Sequence, residues 1–308
     1  MGQPPEPGND ALSIEVVKFD APLGAEIRGI DFAKPVGKAA RRVLRDAWSE
    51  NLILLFRGQA HISQQQHIDA TAIFGRPVPG AKLKYFEDSG TKLVHQAQFP
   101  EISVVSNLGP DGEPAMENEG LGSGEVVWHS DNSYIEKPPI GSFLRAHEVP
   151  LDGGDTSFSN QYLAYETLPA DIRLRVEGLY TKQDLSRNSA GRLRPGVKRP
   201  ETLEDVEGPN HPLVRIHPDT GKKALYLGRR RTFPSQYVIG WGRDESEELL
   251  DFLWEHATRD CLKTTHVWTA GDMILWDNRC VMHRRGPFDS KMRRIMHRTQ
   301  IEDTKRPI

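Results

Sequence analysis

The segment Val126-Val-Trp-His-Ser-Asp131 opens the part of the chain that decides the fold. It begins a series of short β-rich runs: Val126 to Trp128, Gly141 to Val149, Thr156 to Ser159, Leu213 to His217, Ala224 to Leu227, Thr265 to Trp268, Met273 to Trp276 and Arg293 to Ile301. Many short strands punctuated by Gly and Pro point to a sandwich or barrel. Two helical insertions are expected among them, Tyr162 to Glu177 and Glu245 to Arg259, the second with Leu249, Leu250 and Leu253 on one face.

Upstream, Ala39 to Asn51 places Ala40, Val43, Leu44, Ala47 and Trp48 at helical spacing, and Leu52 to Phe56 reads as a buried strand. Ser63 and Gln66 form a capping box for a further helix that Gly75 stops. Residues 76–125 are rich in Gly, Pro, Asp and Glu around one strand candidate, Ile102 to Ser106, and read as a candidate lid. Residues 1–12 carry Pro, Gly and acid without the basic start and apolar stretch of a secretory signal, and are expected to be disordered. The remainder, 13–308, is expected to be a single domain.

The chain has 308 residues with 40 Lys+Arg against 43 Asp+Glu, a formal charge of −3 that gives no electrostatic reason to expect a nucleic-acid partner. Its mean hydropathy is −0.56, and no apolar run approaches the ~18 residues of a membrane-spanning helix. Cys261 and Cys280 form neither a CxxC pair nor a disulfide framework, which fits a reducing compartment and a cytoplasmic location. Both are expected to be buried and inert.

Two stretches concentrate metal-ligand residue types. In an extended chain His129 and Asp131 face the same side, and Trp276-Asp-Asn-Arg-Cys-Val-Met-His283 supplies a later histidine. Together they would make a two-His-one-carboxylate facial triad, which leaves open positions on a non-haem Fe(II). Spacing alone equally fits histidines satisfied within strands. Arg294, eleven residues after His283, and Arg298, four further on, share a strand face and would wall the metal with anion-binding guanidinium groups.

In order along the chain, WHSD at 128–131, GGDT at 153–156, HPLVRIHPDTGKKALYLG at 211–228, WDNR at 276–279 and RRIMHRT at 293–299 resemble the TauD/TfdA family of Fe(II)/2-oxoglutarate-dependent dioxygenases. The resemblance spans roughly Ala25 to Ile301. It implies a mainly β fold with flanking helices, a cupin-like double-stranded β-helix or jelly roll whose mouth holds the metal. By position it makes His129, Asp131 and His283 the Fe(II) ligands, Arg294 the partner of the distal 2-oxoglutarate carboxylate with Thr156 assisting, and Arg298 the anchor of an anionic prime substrate. Trp128 and Trp276 are expected to pack beside the ligands. The implied reaction consumes O2 and 2-oxoglutarate, releases succinate and CO2, and hydroxylates a C–H bond. Hydroxylation beside a heteroatom would then allow C–O, C–S or C–N cleavage. Asp131 retains the carboxylate that related halogenases lack, which favours hydroxylation. Relatives are commonly homo-oligomers.

Where taurine dioxygenase carries a substrate-binding His, Tyr and Asn, this chain has Gly80, Leu83 and Glu125, so taurine is not the expected substrate. A small carboxylate or sulfonate is. Glu125 and His95 are further substrate-contact candidates. The basic clusters Lys82/Lys84, Arg187/Arg192/Arg194 and Arg229–Arg231 read as solvated faces, with a substrate contact from one of them as the alternative. A non-catalytic 2-oxoglutarate- or anion-binding protein and a zinc hydrolase are the competing readings of the same residues.

Overall fold

The computed structural model describes residues 11–81, 88, 96–116 and 122–308. After a 3-10 turn, Ala11–Ser13, strands β1 (Glu15–Lys18) and β2 (Ala25–Arg28) pair as a hairpin. Helix α1 (Lys38–Asn51) leads into β3 (Ile53–Phe56), and α2 (Gln64–Thr71) precedes β4 (Pro77–Val78) and β5 (Ser103–Ser106). Then follow β6 (Val126–His129), β7 (Gly141–Glu148) and β8 (Thr156–Asn160), with helices α3 (Gln161–Glu166) and α4 (Ala170–Val176). Short strands β9 (Tyr180–Lys182), β10 (Asn210–Pro212), β11 (Val214–Ile216), β12 (Lys223–Leu225) and β13 (Tyr237–Val238) lie before helix α5 (Arg243–Ala257). The chain closes with β14 (Lys263–His266), β15 (Met273–Asp277), β16 (Val281–Arg285) and β17 (Ile295–Ile301).

Two sheets carry the architecture. The major sheet runs β1-β2-β3-β15-β7-β17-β4, with β5 also on β17, and the minor sheet runs β14-β8-β16-β6. Strands β14 to β17 fall alternately in minor and major sheets, as do β6, β7 and β8. This winding is the jelly-roll, double-stranded β-helix arrangement that the family resemblance implies, and it narrows the sandwich or barrel expected from the strand pattern.

The period of two sorts each strand between the sandwich interior and an outer layer. On β16, Val281 packs with the inter-sheet core while Met282 packs outward under α5 with Leu249, Leu250 and Leu253. On β15, Ile274 and Trp276 point inward and Met273 and Leu275 outward toward the α1 layer. Helix α1 covers that face with Ala40, Leu44, Ala47 and Trp48. Helix α2 starts at the expected capping box: Ser63 Oγ accepts from Gln66 N at 3.2 Å and Gln66 Oε1 accepts from Ser63 N at 2.7 Å.

Three expectations change. The helix expected over Tyr162 to Glu177 is two helices, because Pro169, which lacks an N–H, separates α3 from α4. His283 lies in a full strand, β16, which had no strand pattern of its own to mark it. Cys261 is exposed, while Cys280 is buried. The candidate lid lies partly outside the described residues, and no helix among those described is long and apolar enough to cross a membrane.

Candidate active site

Strands β6 and β16 pair in the minor sheet with His129 directly opposite His283, so both side chains leave the sheet on one face, with ring centroids 4.2 Å apart. The chain turns at Asn132, whose φ is 52°, and holds Asp131 beside them. Ligand-type atoms of His129, Asp131 and His283 all lie within 4.8 Å of one another, and all three residues are buried. The Nδ1 of His129 donates to the Val127 carbonyl at 2.8 Å, which leaves Nε2 as the lone-pair nitrogen, 3.7 Å from Asp131 Oδ1. Trp276, at 4.7 Å between centroids, and Phe158 pack on the His283 ring.

Asp131 is fixed from several sides. Ser142 Oγ on β7 donates to its Oδ2 at 2.6 Å, and Arg298 Nη1 on β17 donates to its Oδ1 at 2.9 Å. Asn278, fully buried, accepts from the Asp131 N–H at 2.6 Å and donates to the Asp131 carbonyl at 2.9 Å. Burial alone would raise the Asp131 carboxyl, but Arg298 first, with the Ser142 hydrogen bond, outweighs it and holds it below the usual carboxylate range. Burial, reinforced by neighbouring positive charge, keeps His129 far below its usual value and His283 at about 4. Two neutral imidazoles and one ionised carboxylate form the donor set of a non-haem iron facial triad, and the site fits a divalent metal.

Arg294 lies immediately before β17 rather than within it, 2% exposed, its backbone N–H held by Asn107 Oδ1 at 2.9 Å. Its Nε has no partner, and among the described residues no ion pair neutralises it. Burial and the neighbouring Arg285 pull it down to about 9, outweighing the opposite pull of the Asp155 carboxylate, which makes no ion pair with it. Close approach is built in: a Cβ on Gly154, whose φ is +67°, would lie 3.3 Å from Arg294 Nε. Thr156 follows two residues later, buried, with its Oγ1 accepting from Trp268 Nε1 at 2.9 Å, so the hydroxyl proton is free to donate elsewhere. An uncompensated buried guanidinium calls for an anion, and one carboxylate of 2-oxoglutarate fits that need.

Glu125 does not join this group. Its carboxylate pairs with Arg284 at 3.3 Å, and the two side chains are 49% and 36% exposed. Arg284 also stands over Trp128, 5.5 Å from the ring centroid, which makes that tryptophan a packing partner away from the triad. His95, Lys82 and Lys84 lie outside the described residues. The three consecutive arginines differ in fate: Arg230 pairs with Glu247 and Asp251 on α5, while Arg229 and Arg231 turn inward. Ser142, Asn278 and Trp268 had no signal in the sequence as site residues, since a Ser in a strand and an Asn and a Trp in the connections beside strands gain their roles only through neighbours distant in sequence.

The taurine catabolism dioxygenase TauD, TfdA family matches the chain over residues 15–300. The chain is 31% identical over 299 residues to the (S)-phenoxypropionate/alpha-ketoglutarate-dioxygenase of Sphingobium herbicidovorans, covering 94% of this chain and 95% of that protein. It is 32% identical over 285 residues to the alpha-ketoglutarate-dependent 2,4-dichlorophenoxyacetate dioxygenase of Cupriavidus pinatubonensis, covering 91% and 95%. The crystal structure of AAD-2 in complex with Mn(II) and N-oxalylglycine matches with a TM-score of 0.77 at 27% identity, over 96% of this chain and 98% of that one. With a facial triad seated between two jelly-roll sheets and a match along nearly its whole length, the chain belongs to the TauD/TfdA family and is an Fe(II)/2-oxoglutarate-dependent dioxygenase.

Proposed function

We propose that this dioxygenase hydroxylates a small organic anion, with aryloxyalkanoates as the first class to examine and alkylsulfonates as the second. His129, Asp131 and His283 hold Fe(II), Arg294 and Thr156 hold the distal carboxylate of 2-oxoglutarate, and Arg298 receives the anionic group of the substrate. The observation that carries this reading is the position of Arg298: its guanidinium touches Asp131 Oδ1 at 2.9 Å while its side chain remains 18% exposed, so one edge meets the triad and part of the group is open to a ligand.

When bound, Fe(II) with 2-oxoglutarate supplies the O2-dependent oxidation of a C–H bond, one oxygen atom going to succinate and one to the product alcohol. The chain's own residues position and exclude. Arg298 sets the distance between the substrate anion and the triad, which selects the carbon that reacts. Trp276 and Phe158 shield the His283 side of the site from water. Hydroxylation on the carbon bearing an ether or sulfonate heteroatom gives an unstable product that splits into a carbonyl compound and a phenol or sulfite. A zinc-hydrolase reading leaves the buried Arg294 without a task.

The family match over residues 15–300 supports one catalytic domain from residue 13 onward. The two free cysteines are compatible with a cytoplasmic location, and a homo-oligomer, checked by sedimentation, rests on the family alone. The test of the substrate reading is kinetic, with a panel of aryloxyalkanoic acids and their uncharged methyl esters. Arg298→Ala is expected to lower kcat/KM for the acids by about 10- to 100-fold, the loss of one charge-assisted contact, with a much smaller effect on the esters. Equal effects on acid and ester, with metal affinity measured alongside, would overturn the role of Arg298.

A further inference from the structure

The row of side chains that presents the metal ligands does not end at His129. His283 pairs with His129 across β16 and β6, and His129 is itself bridged in antiparallel fashion to Arg229, with Ser130 N donating to the Gly228 carbonyl at 2.8 Å. Directly opposed residues of an antiparallel pair present their side chains to the same face. Arg229 therefore faces the same interior as the two histidines, from beyond the β6 edge of the minor sheet. Arg298 reaches that interior from β17 in the major sheet.

Arg229 is 8% exposed. Its Nη2 donates to the neutral Ser189 hydroxyl at 2.8 Å, its Nε has no partner, and among the described residues no ion pair neutralises it. One neutral hydrogen bond does not offset the cost of burying a guanidinium charge. Burial first, then Arg194 and Arg231, draw Arg229 down to about 9, against the smaller opposing pull of Tyr134 and Asp131. Arg194 lies against the Tyr134 ring, 3.8 Å from its centroid, and Arg231 donates to the backbone carbonyls of Asn188 and Ser189. The surroundings are thus cationic and carbonyl-lined.

Arg298 differs, since it already touches Asp131. In a loaded site the charges of a divalent metal, Asp131, a 2-oxoglutarate dianion and Arg294 cancel. What remains is Arg298 and Arg229, two positive charges on opposing walls. We propose that Arg229 is a second oxyanion-binding point of the substrate pocket, so that the prime substrate carries two anionic groups, one received by Arg298 and the other by Arg229. The second group is a carboxylate, sulfonate or sulfate ester, each of which offers oxygens to a guanidinium fork. This deepens, and rests on, the reading of the site as that of a dioxygenase for small anions.

The test compares ω-sulfoalkanoates of increasing length with the corresponding plain alkanoates in wild type, Arg229→Gln and Arg229→Lys. Succinate release measured with Fe(II) and 2-oxoglutarate is expected to show at least one dianion exceeding its monoanion in kcat/KM by roughly 10- to 100-fold, the range of one charge-assisted contact. Arg229→Gln should abolish that preference, lowering kcat/KM for the dianion by far more than for the monoanion while keeping the KM for 2-oxoglutarate within about twofold, and Arg229→Lys should keep part of it. A second arm avoids turnover: the same dianion should raise the melting temperature of the metal-free wild type more than that of Arg229→Gln. The proposal is overturned if no dianion is preferred by wild type, if Arg229→Gln depresses both series alike, or if that variant weakens 2-oxoglutarate binding instead. Failure of the dioxygenase reading is distinguishable, because wild type would then consume no 2-oxoglutarate with any acid while the melting arm still reports on Arg229.

Discussion

Asp131 shows how much of this site lies outside the ligands themselves. Its carboxylate is held by Ser142 on Oδ2 and Arg298 on Oδ1, and its backbone is clamped by Asn278. Groups that orient a metal ligand are typically worth 10- to 100-fold in metal affinity. Ser142→Ala is therefore expected to weaken Mn(II) binding, measured by calorimetry, by roughly 10-fold or more, with the far-ultraviolet circular dichroism unchanged. An unaltered affinity would show that Ser142 is dispensable to the ligand. At this scale the chemistry-bearing types were legible, but spacing alone fitted satisfied strand histidines equally well, and it is the family resemblance that singles out His129, Asp131, His283, Arg294 and Arg298. Arg229 was not, because a run of three arginines reads as a solvated face, and only the bridge to His129 turns the first of them inward. Glu125 sits in an exposed pair with Arg284, a partner unremarkable in sequence, as the solvated-edge reading of that residue expects.

Beneath α2, strands β7 and β17 turn a second set of histidines to the outer face of the major sheet. His147 and His297 lie with ring centroids 3.8 Å apart, and His67 of α2 contacts the Phe143 carbonyl at 3.2 Å, with Arg145 between the same elements. Burial first, then Arg145 and neighbouring histidines, lower His67 to about 3 and His147 and His297 to about 4. Unfolded histidines bind protons below about 6.5, so between that pH and about 4 the unfolded chain holds more protons than the folded one. Stability contributed by these neutral histidines is thus present above pH ~6.5 and is lost as pH falls toward ~4. His297→Phe should flatten that acid limb, seen as a smaller fall in melting temperature between pH 7 and pH 5 than in wild type. An identical fall would mean that His297 does not titrate with unfolding. Elements with their own periodicity, α1 and α5, and the capping box of α2 were legible. Strand β16 was not, because Val-Met-His-Arg-Arg loses its alternation where site residues replace apolar ones; the break between α3 and α4 falls at Pro169, a residue that cannot donate to a continuing helix.

Across the whole molecule, the site is a joint between the two sheets: His129 and His283 come from the minor sheet, while Ser142 and Arg298 come from the major one. A sandwich or barrel was legible from the number of short strands between Gly and Pro, and the resemblance to the family narrowed it to a jelly roll. The strand order was not, because β17 pairs with β7, β5 and β4 through contacts far apart in sequence that no local pattern encodes. Convergence of residues from both sheets on one bound metal and one keto acid is the central claim, and it is tested most directly by anaerobic titration of metal-free protein with Fe(II) and then 2-oxoglutarate. The visible charge-transfer band of the metal–keto-acid chelate should appear in wild type, weaken strongly in Asp131→Ala, and require about 10-fold or more additional 2-oxoglutarate in Arg294→Ala, which loses a charge-assisted contact. A wild-type protein that binds Fe(II) without developing the band, or a band indifferent to both substitutions, would contradict the assignment of His129, Asp131, His283 and Arg294.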